Sequence, residues 1–222
     1  MSADTPLVLF DLDDTLSDRA GAFRNWAEKW IVRHHIGDPD ALDWMTTNDD
    51  GGYRPRNLFF TDAKDHFGLP ERASELAREY AMTAHDDYGY DPLLVAEVRS
   101  LVDAGLRVGI VTNGGVGQQV KIQKLGIEPL LSCCVVSGLV GIRKPDPRIF
   151  DLAVAEAGGP GPFVPWMVGD NARYDVGGAQ SAGLRGLWIS LGRTWERELP
   201  PPDAIAADIT SAMAFLRGAF PD

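Results

Sequence analysis

The sequence predicts an α/β fold with a doubly wound parallel sheet, interrupted by an all-helical insertion. Short apolar runs without polar alternation recur along the chain, which is typical of parallel strands covered on both faces. Amphipathic segments that end at glycine lie between most of these runs and predict helices. From about Asp18 to about Tyr88 the pattern is helical only. We therefore expect a core of residues 1–17 and 89–222, with residues 18–88 inserted after the first strand.

Six apolar runs are predicted to form the strands of the sheet. They are Leu7–Asp11, Arg107–Thr112, Cys133–Ser137, Pro165–Gly169, Gly186–Ser190 and a weaker Ala204–Ala206. Three helices, each followed by glycine, are predicted between them at Pro92–Ala104, Gly117–Leu125 and Pro147–Ala157. Strands and helices that alternate in this way form parallel sheets with right-handed crossovers. Cys133 and Cys134 lie in one apolar run, so both are expected to be buried hydrophobic side chains.

The inserted segment shows helical periodicity in several places. An apolar stripe at three- and four-residue spacing predicts its first helix and comprises Phe23, Trp26, Ala27, Trp30 and Ile31. Asp38 followed by Pro39 predicts the N-cap and first position of a second helix. Further helices are predicted at Arg56–Phe67 and Glu71–His85. A helical module of this kind can serve as a lid over a site.

The charge and composition exclude several classes of partner. The formal net charge is −11, and a surface this acidic repels nucleic acid backbones and anionic membranes. No apolar run is long enough to span a bilayer, and the N-terminus lacks the pattern of a signal peptide. We therefore expect a cytoplasmic protein that acts on small molecules, as a monomer or homodimer.

Four polar segments follow predicted strands, at the edge where open parallel sheets bind ligands. In the first, Asp11 and Asp13 come directly after a strand and can reach one small volume. One carboxylate can act as a nucleophile and the other as a proton donor. In the second, the Thr112 hydroxyl and the backbone amides at Asn113 and Gly114 lead into a helix N-terminus, which suits a phosphate group.

The third and fourth segments supply a cation and further acids. Lys144 is followed by Pro145 and can place a fixed positive charge near the nucleophile and a phosphate. Asp170 and Asp175 follow the apolar run 166–168 and can offer oxygens to magnesium, directly or through water. Each segment alone is also compatible with a polar turn or a helix cap, so the prediction depends on their conjunction.

Together, the four segments resemble the motifs of haloacid dehalogenase-like hydrolases. The run Asp11-Leu12-Asp13-Asp14-Thr15 is similar to the nucleophile motif of that family, Asp-x-Asp-x-Thr. The resemblance covers essentially the whole chain. It implies a Rossmann-like three-layer sandwich with a parallel sheet, and a helical cap inserted after the first strand.

The resemblance also implies a role for each matching residue. Asp11 would be the nucleophile, Asp13 the general acid and base, and Lys144 the lysine of the third motif. The Thr112 hydroxyl would bind the phosphoryl group.

A magnesium ion is implied by the same resemblance. It would be bound by the Asp11 carboxylate, the Asp13 backbone carbonyl and Asp170, with Asp175 in a supporting acidic position.

The implied activity is that of a Mg²⁺-dependent phosphatase for small phosphate monoesters. It would proceed through an aspartyl-phosphate at Asp11, with a sugar phosphate or nucleoside monophosphate as substrate. A phosphomutase shares the same core residues and stays open as an alternative. A 2-haloacid dehalogenase is less favoured, because it needs neither a metal nor Asp13, and a non-catalytic binding module is the remaining alternative. Arg54 and Arg56, in a glycine-rich loop of the insertion, are candidates for contact with the substrate, although solvated arginines that offset nearby acids fit equally well.

Overall fold

The computed structural model describes residues 4–220. The chain divides into two compact units, one made of Met1–Ser17 with Gly89–Asp222 and the other of Asp18–Tyr88. The first unit contains a six-stranded parallel sheet with strand order β3-β2-β1-β4-β5-β6. The strands are β1 Leu7–Phe10, β2 Arg107–Thr112, β3 Cys133–Val136, β4 Trp166–Gly169, β5 Arg185–Ile189 and β6 Ala204–Ala206.

Ten α-helices are present in the described residues. Those of the second unit are α1 Arg19–Arg33, α2 Ala41–Asn48, α3 Arg56–Phe67 and α4 Ala73–Thr83. Those of the first unit are α5 Pro92–Asp103, α6 Gly117–Leu125, α7 Ser137–Val140, α8 Pro147–Glu156, α9 Gly178–Ser181 and α10 Ile209–Ala219. Short 3₁₀ segments occur at Asp50–Gly52 and Glu128–Leu130, and a π-helical turn spans Ala172–Gly177. No described helix combines the length and the apolar character needed to cross a membrane.

The sheet lies between two layers of helices because its strands are apolar on both faces. Val8 and Phe10 of β1 belong to a core cluster that also includes side chains of α5, α6 and α10. Leu7 and Leu9 point to the opposite face and belong to a cluster with side chains of α8 and α9. Successive side chains of a strand point to opposite faces, so one four-residue strand contributes to both cores. The predicted α/β sandwich is therefore confirmed.

The second unit has its own hydrophobic core. Its buried aromatic side chains come from α1 and α3, and buried aliphatic side chains of α2 and α4 pack with them. The aromatic residues are Phe23, Trp26, Trp30, Phe59 and Phe60. The predicted stripe on the first helix faces this core, except that Ile31 is only partly buried.

Two local predictions were wrong. The second helix begins at Ala41 rather than Pro39, because the Asp38 carboxylate accepts a hydrogen bond from the Asp40 amide and forms a turn first. Cys134 is exposed whereas Cys133 is buried. The strand β3 lies at the edge of the sheet, where its two alternating side chains meet different surroundings.

Candidate active site

The first strand leads into Asp11 and then into a tight turn. The Asp11 amide donates to the Val168 carbonyl at 2.9 Å, so Asp11 continues the pairing of β1 with β4. The amides of Leu16 and Ser17 then both donate to the Leu12 carbonyl, at 3.0 and 2.9 Å, and close the turn. Asp11 is buried at the carboxyl end of the sheet.

The Lys144 ammonium joins two carboxylates of different segments. Its Nζ lies 2.7 Å from Asp11 Oδ1 and 2.6 Å from Asp175 Oδ1. All three side chains are buried, and Lys144 is only 2% exposed. A buried ammonium between two buried carboxylates is held in one place, because each group needs the others to compensate for lost hydration.

Asn113 and Ser137 fix the loops around this lysine. The Lys144 amide donates to Asn113 Oδ1 at 2.9 Å, and Asn113 Nδ2 donates to the Lys144 carbonyl at 3.1 Å. The Gly114 amide donates to Ser137 Oγ at 3.0 Å. The side chain of Asn113 is therefore engaged in holding Lys144, and the Gly114 amide is engaged with Ser137.

The loop after β4 brings two more acids to the same edge. Asp175 Oδ2 accepts a hydrogen bond from the Asn171 amide at 3.0 Å, and a side chain on Gly169 would collide with the Asp175 carboxylate. Glycine at position 169 thus permits the close approach of Asp175. Ligand oxygens of Asp11, Asp170 and Asp175 lie within 4.8 Å of one another.

This crowding changes the acid–base behaviour of the cluster. Burial, together with the neighbouring Asp175 and Asp13 charges, raises the pKa of Asp11 to about 7 despite the opposing effect of Lys144. Burial and the Asp175 and Asp11 charges raise the pKa of Asp170 to about 8. Burial disfavours the Lys144 ammonium, but the adjacent carboxylates outweigh this effect and raise its pKa.

Asp13 is held by residues of helix α6. Lys121 Nζ donates to Asp13 Oδ1 at 2.6 Å, and Gln118 Nε2 donates to Asp13 Oδ2 at 3.0 Å. Gln118 Nε2 also donates to Thr112 Oγ1 at 2.8 Å. The structure therefore brings Asp13 and Thr112 together through one amide group.

A family model described as haloacid dehalogenase-like hydrolase matches residues 5–183, most of the chain. The chain belongs to this family of hydrolases. The resemblance noted in the sequence is thereby confirmed.

Sequence relatives of this hydrolase are phosphatases. It is 36% identical over 162 residues to the phosphoserine phosphatase of Thermus thermophilus, a match that covers 72% of this chain and 63% of the relative. It is 32% identical over 207 residues to the glyceraldehyde 3-phosphate phosphatase of Pyrococcus furiosus, covering 87% of this chain and 84% of that one. A match to the pyrimidine 5'-nucleotidase YjjG of Escherichia coli is 39% identical but covers only 38% of either chain. The chain thus aligns with less than two thirds of the length of the Thermus and Escherichia relatives.

Solved structures of the family share the fold of this hydrolase. The magnesium-bound HAD-hydrolase YfnB of Bacillus subtilis superimposes with a TM-score of 0.80 at 21% identity, over 96% of this chain and 98% of that one. The L-2-haloacid dehalogenase of Xanthobacter autotrophicus gives a TM-score of 0.72 at 18% identity, over 97% of this chain and 100% of that one. At these low sequence identities, the structural similarity supports a shared fold only.

The acidic cluster of this hydrolase fits a divalent cation. Three carboxylates converge within 4.8 Å, and mutual repulsion helps to raise two of their pKa values toward neutrality. Oxygen ligands of this kind are those that Mg²⁺ prefers, and a bound cation would relieve the repulsion. Asp175 is the most engaged of the three, because both its oxygens already accept hydrogen bonds from Lys144 and Asn171.

The sequence patterns did not predict that Thr15 and Arg193 belong to the site. Thr15 Oγ1 accepts a hydrogen bond from the Asp170 amide at 3.1 Å, and so links the first and fourth segments. Arg193 Nη2 donates to the Asp170 carbonyl at 2.8 Å and to its carboxylate at 3.1 Å. The position of Thr15 in the nucleophile motif could have indicated its role, whereas Arg193 lies in a loop without a recognisable pattern.

Arg54 and Arg56 lie in the helical unit and pair with acids of that unit. Arg54 forms an ion pair with Asp62 and donates to Asn48 Oδ1 at 2.9 Å.

Arg56 also has partners within the unit. Its Nη1 lies 2.6 Å from the buried Asp49 carboxylate, and its guanidinium lies 4.6 Å from the ring centre of Tyr80 in α4. Both guanidinium groups thus have partners within the unit, and their contact with a substrate stays a prediction.

Proposed function

We propose that this protein is a Mg²⁺-dependent phosphatase that hydrolyses small phosphate monoesters through an aspartyl-phosphate on Asp11. The observation that carries the proposal is the buried Lys144 ammonium, which contacts Asp11 at 2.7 Å beside the acidic cluster. This arrangement combines an oriented carboxylate, a fixed cation and a set of oxygen ligands at one edge of the sheet. The phosphatase names of the sequence relatives support the same reaction class.

The residues that would hold magnesium are the Asp11 carboxylate, the Asp13 backbone carbonyl and Asp170. Asp175 adds negative charge and holds Lys144 in place. A bound Mg²⁺ reduces the repulsion between a phosphate dianion and an attacking carboxylate.

In the first step, Asp11 attacks phosphorus and forms a carboxylate oxygen–phosphorus bond. The bond between phosphorus and the ester oxygen breaks, and the leaving oxygen takes the proton of the Asp13 carboxylic acid. The products are a free alcohol, an aspartyl-phosphate and the Asp13 carboxylate. This covalent route divides one difficult hydrolysis into two easier steps.

In the second step, water attacks the phosphorus of the aspartyl-phosphate. Asp13 takes a proton from that water, the bond from phosphorus to Asp11 breaks, and inorganic phosphate leaves. The Asp11 carboxylate and the Asp13 acid are thereby restored. One group thus serves as acid and then as base within a cycle.

Lys144 and Thr112 would stabilise the charge on the phosphoryl oxygens. The Lys144 ammonium is buried, so its interaction with an anion is weakly screened. The Thr112 hydroxyl accepts a hydrogen bond from Gln118, which leaves its own hydrogen to donate to an anion.

The proposed substrates are small phosphorylated metabolites rather than nucleic acid polymers. The relatives act, by their names, on phosphoserine, glyceraldehyde 3-phosphate and pyrimidine nucleotides, which are all small monoesters. The net charge of −11 disfavours binding of a long polyanion.

A panel of these esters, assayed for phosphate release with and without Mg²⁺, tests the proposal. Asp11→Asn is the blank. We expect magnesium-dependent phosphate release from at least one ester by the wild type and none by the variant. Metal-independent halide release from 2-haloacids, with no phosphate released from any ester, would instead identify a dehalogenase. Conversion of one sugar phosphate to another without free phosphate would identify a mutase.

A further inference from the structure

Helix α6 presents two polar side chains to the site on its buried face. Gln118, Lys121, Ile122 and Leu125 are all buried and follow the three- and four-residue spacing of one helix face. Ile122 and Leu125 pack into the core beneath the sheet. Gln118 and Lys121 occupy the other positions of the same face, and both contact Asp13.

Lys121 is buried on the packed face of α6, where lysine is rarely found unless it is paired. Removing its ammonium from water is costly unless a carboxylate and hydrogen bonds compensate for the lost hydration. The 2.6 Å contact between Lys121 Nζ and Asp13 Oδ1 supplies that compensation. The Lys121 side chain is 8% exposed whereas that of Asp13 is 24% exposed, so the contact leaves Asp13 accessible to a small molecule.

The two donors hold the Asp13 carboxyl group at both of its oxygens. Lys121 contacts Oδ1, while Gln118 contacts Oδ2 and also Thr112. Two donors that contact different oxygens fix the plane of the carboxyl group. The same Gln118 amide sets the distance between the Asp13 carboxyl group and the Thr112 hydroxyl.

We propose that Lys121 and Gln118 are positioning residues that orient Asp13 for proton transfer to the leaving group of the substrate. The inference rests on the proposed phosphatase function, because it takes Asp13 as the acid of that reaction. Neither side chain needs to touch the substrate. Lys121 fixes one oxygen of Asp13 and Gln118 fixes the other against the phosphate-binding Thr112.

Substrates that differ in leaving group separate this role from a general structural one. An ester with a good leaving group, such as 2,4-dinitrophenyl phosphate, needs little proton donation. Phenyl phosphate has a similar ring but a poor leaving group, and it depends on the acid. kcat/KM reports on the steps up to departure of the alcohol and therefore on proton donation by Asp13.

The experiment measures kcat/KM for both esters in the wild type, Lys121→Met, Lys121→Arg and Gln118→Leu. We expect Lys121→Met and Gln118→Leu to lower kcat/KM for phenyl phosphate about 10-fold or more, and that for the dinitrophenyl ester about threefold or less. Lys121→Arg keeps the cation, so the ratio of kcat/KM for phenyl phosphate to kcat/KM for the dinitrophenyl ester should stay closer to the wild-type ratio than in Lys121→Met. The neighbouring substitutions Lys124→Met and Gln119→Leu, on the same helix, are the controls and keep the wild-type ratio.

Two kinds of failure are distinguishable. If the wild type releases no phosphate from either ester or from the metabolite panel in the presence of Mg²⁺, the proposed function fails, and the positioning role fails with it. If the wild type is active but Lys121→Met and Gln118→Leu lower kcat/KM equally for both esters, or for neither, only the positioning role is overturned. Thermal unfolding of each variant identifies a loss that comes from misfolding. If Lys121→Met does not fold, Gln118→Leu carries the test, because it must still lower kcat/KM for phenyl phosphate more than for the dinitrophenyl ester.

Discussion

The Lys144 ammonium lies 2.7 Å from the Asp11 carboxylate, and both groups are buried at the carboxyl end of the sheet. Replacing Lys144 with Met would leave Asp11 and Asp175 without their shared cation. We expect an activity loss of at least about 100-fold and a destabilisation of about 3 kcal/mol near pH 8. The stability loss should shrink near pH 5, since Asp11, whose pKa is raised to about 7, can then bind a proton.

Urea unfolding at both pH values measures this effect, with Lys124→Met on α6 as the charge-matched control. An equal stability loss for Lys144→Met at pH 5 and pH 8 would contradict the pairing that the structure shows.

In the proposed mechanism, Asp13 contributes its side chain to proton transfer and only its backbone carbonyl to magnesium. We therefore expect Asp13→Ala to lower turnover by roughly 10²–10⁴-fold while magnesium binding, measured by titration calorimetry, stays largely intact. A variant with near-full turnover would remove Asp13 from the mechanism. A variant that loses magnesium binding would show that the side chain serves the metal.

The raised pKa values in the acidic cluster make the stability of the fold depend on pH. The pKa of Asp170 in the fold is about 8, whereas the ordinary value for Asp is 3.8. The folded protein therefore keeps a proton that the unfolded chain has lost between these values, and this contribution to stability declines as the pH rises through that window. The same sign applies to Asp11, whose pKa is about 7.

We accordingly expect Mg²⁺ to raise the Tm more at pH 8 than at pH 5, because the cation competes with protons for the same oxygens. Asp170→Asn should reduce both the pH dependence of the metal-free protein and the shift caused by magnesium. Differential scanning calorimetry with EDTA or Mg²⁺ makes the comparison. An equal magnesium shift at the two pH values in the wild type would contradict a site built from these carboxyl groups.

Arg107 stabilises the opposite end of the sheet. Its guanidinium donates to the carbonyls of Thr5, Ala157 and Gly159, at distances between 2.8 and 3.1 Å. We expect Arg107→Leu to lower the free energy of unfolding by about 2–4 kcal/mol, since buried and partly buried carbonyls lose their donor. Because Arg107 begins β2 and the site lies where β2 ends, kcat per folded molecule should stay close to wild type. A large kcat loss in fully folded Arg107→Leu would contradict this separation.

Most of the sheet could be predicted because its strands are continuous apolar runs. The range of β2 agrees with the prediction at both ends, whereas β1 and β3 end one residue earlier than predicted, at Phe10 and Val136. At this edge the chain leaves the sheet to form loops. The run of apolar residues does not indicate at which residue the backbone pairing between strands ends. The N-terminus of α2 was misplaced for a related reason, since a local turn at Asp38 competes with the helix.

The main groups of the site could be predicted because parallel strands deliver their C-terminal residues to one edge. The partners of Asp13 could not, because they come from the interior of a helix. The rotation of α6 about its axis is set by packing, and only that rotation directs Lys121 toward Asp13. The available signal was a lysine and a glutamine at positions that share a helix face with Ile122 and Leu125.

Detection of a phosphoryl group on Asp11 tests the central claim most directly. Enzyme mixed with Mg²⁺ and an active ester is quenched in acid during turnover, digested, and its peptides are analysed by mass spectrometry. We predict a phosphorylated peptide that contains Asp11 in the wild type, more of it in Asp13→Ala, where hydrolysis of the intermediate is slowed, and none in Asp11→Asn. Phosphate release by the wild type without any phosphorylated Asp11, or phosphorylation that persists in Asp11→Asn, would contradict the account.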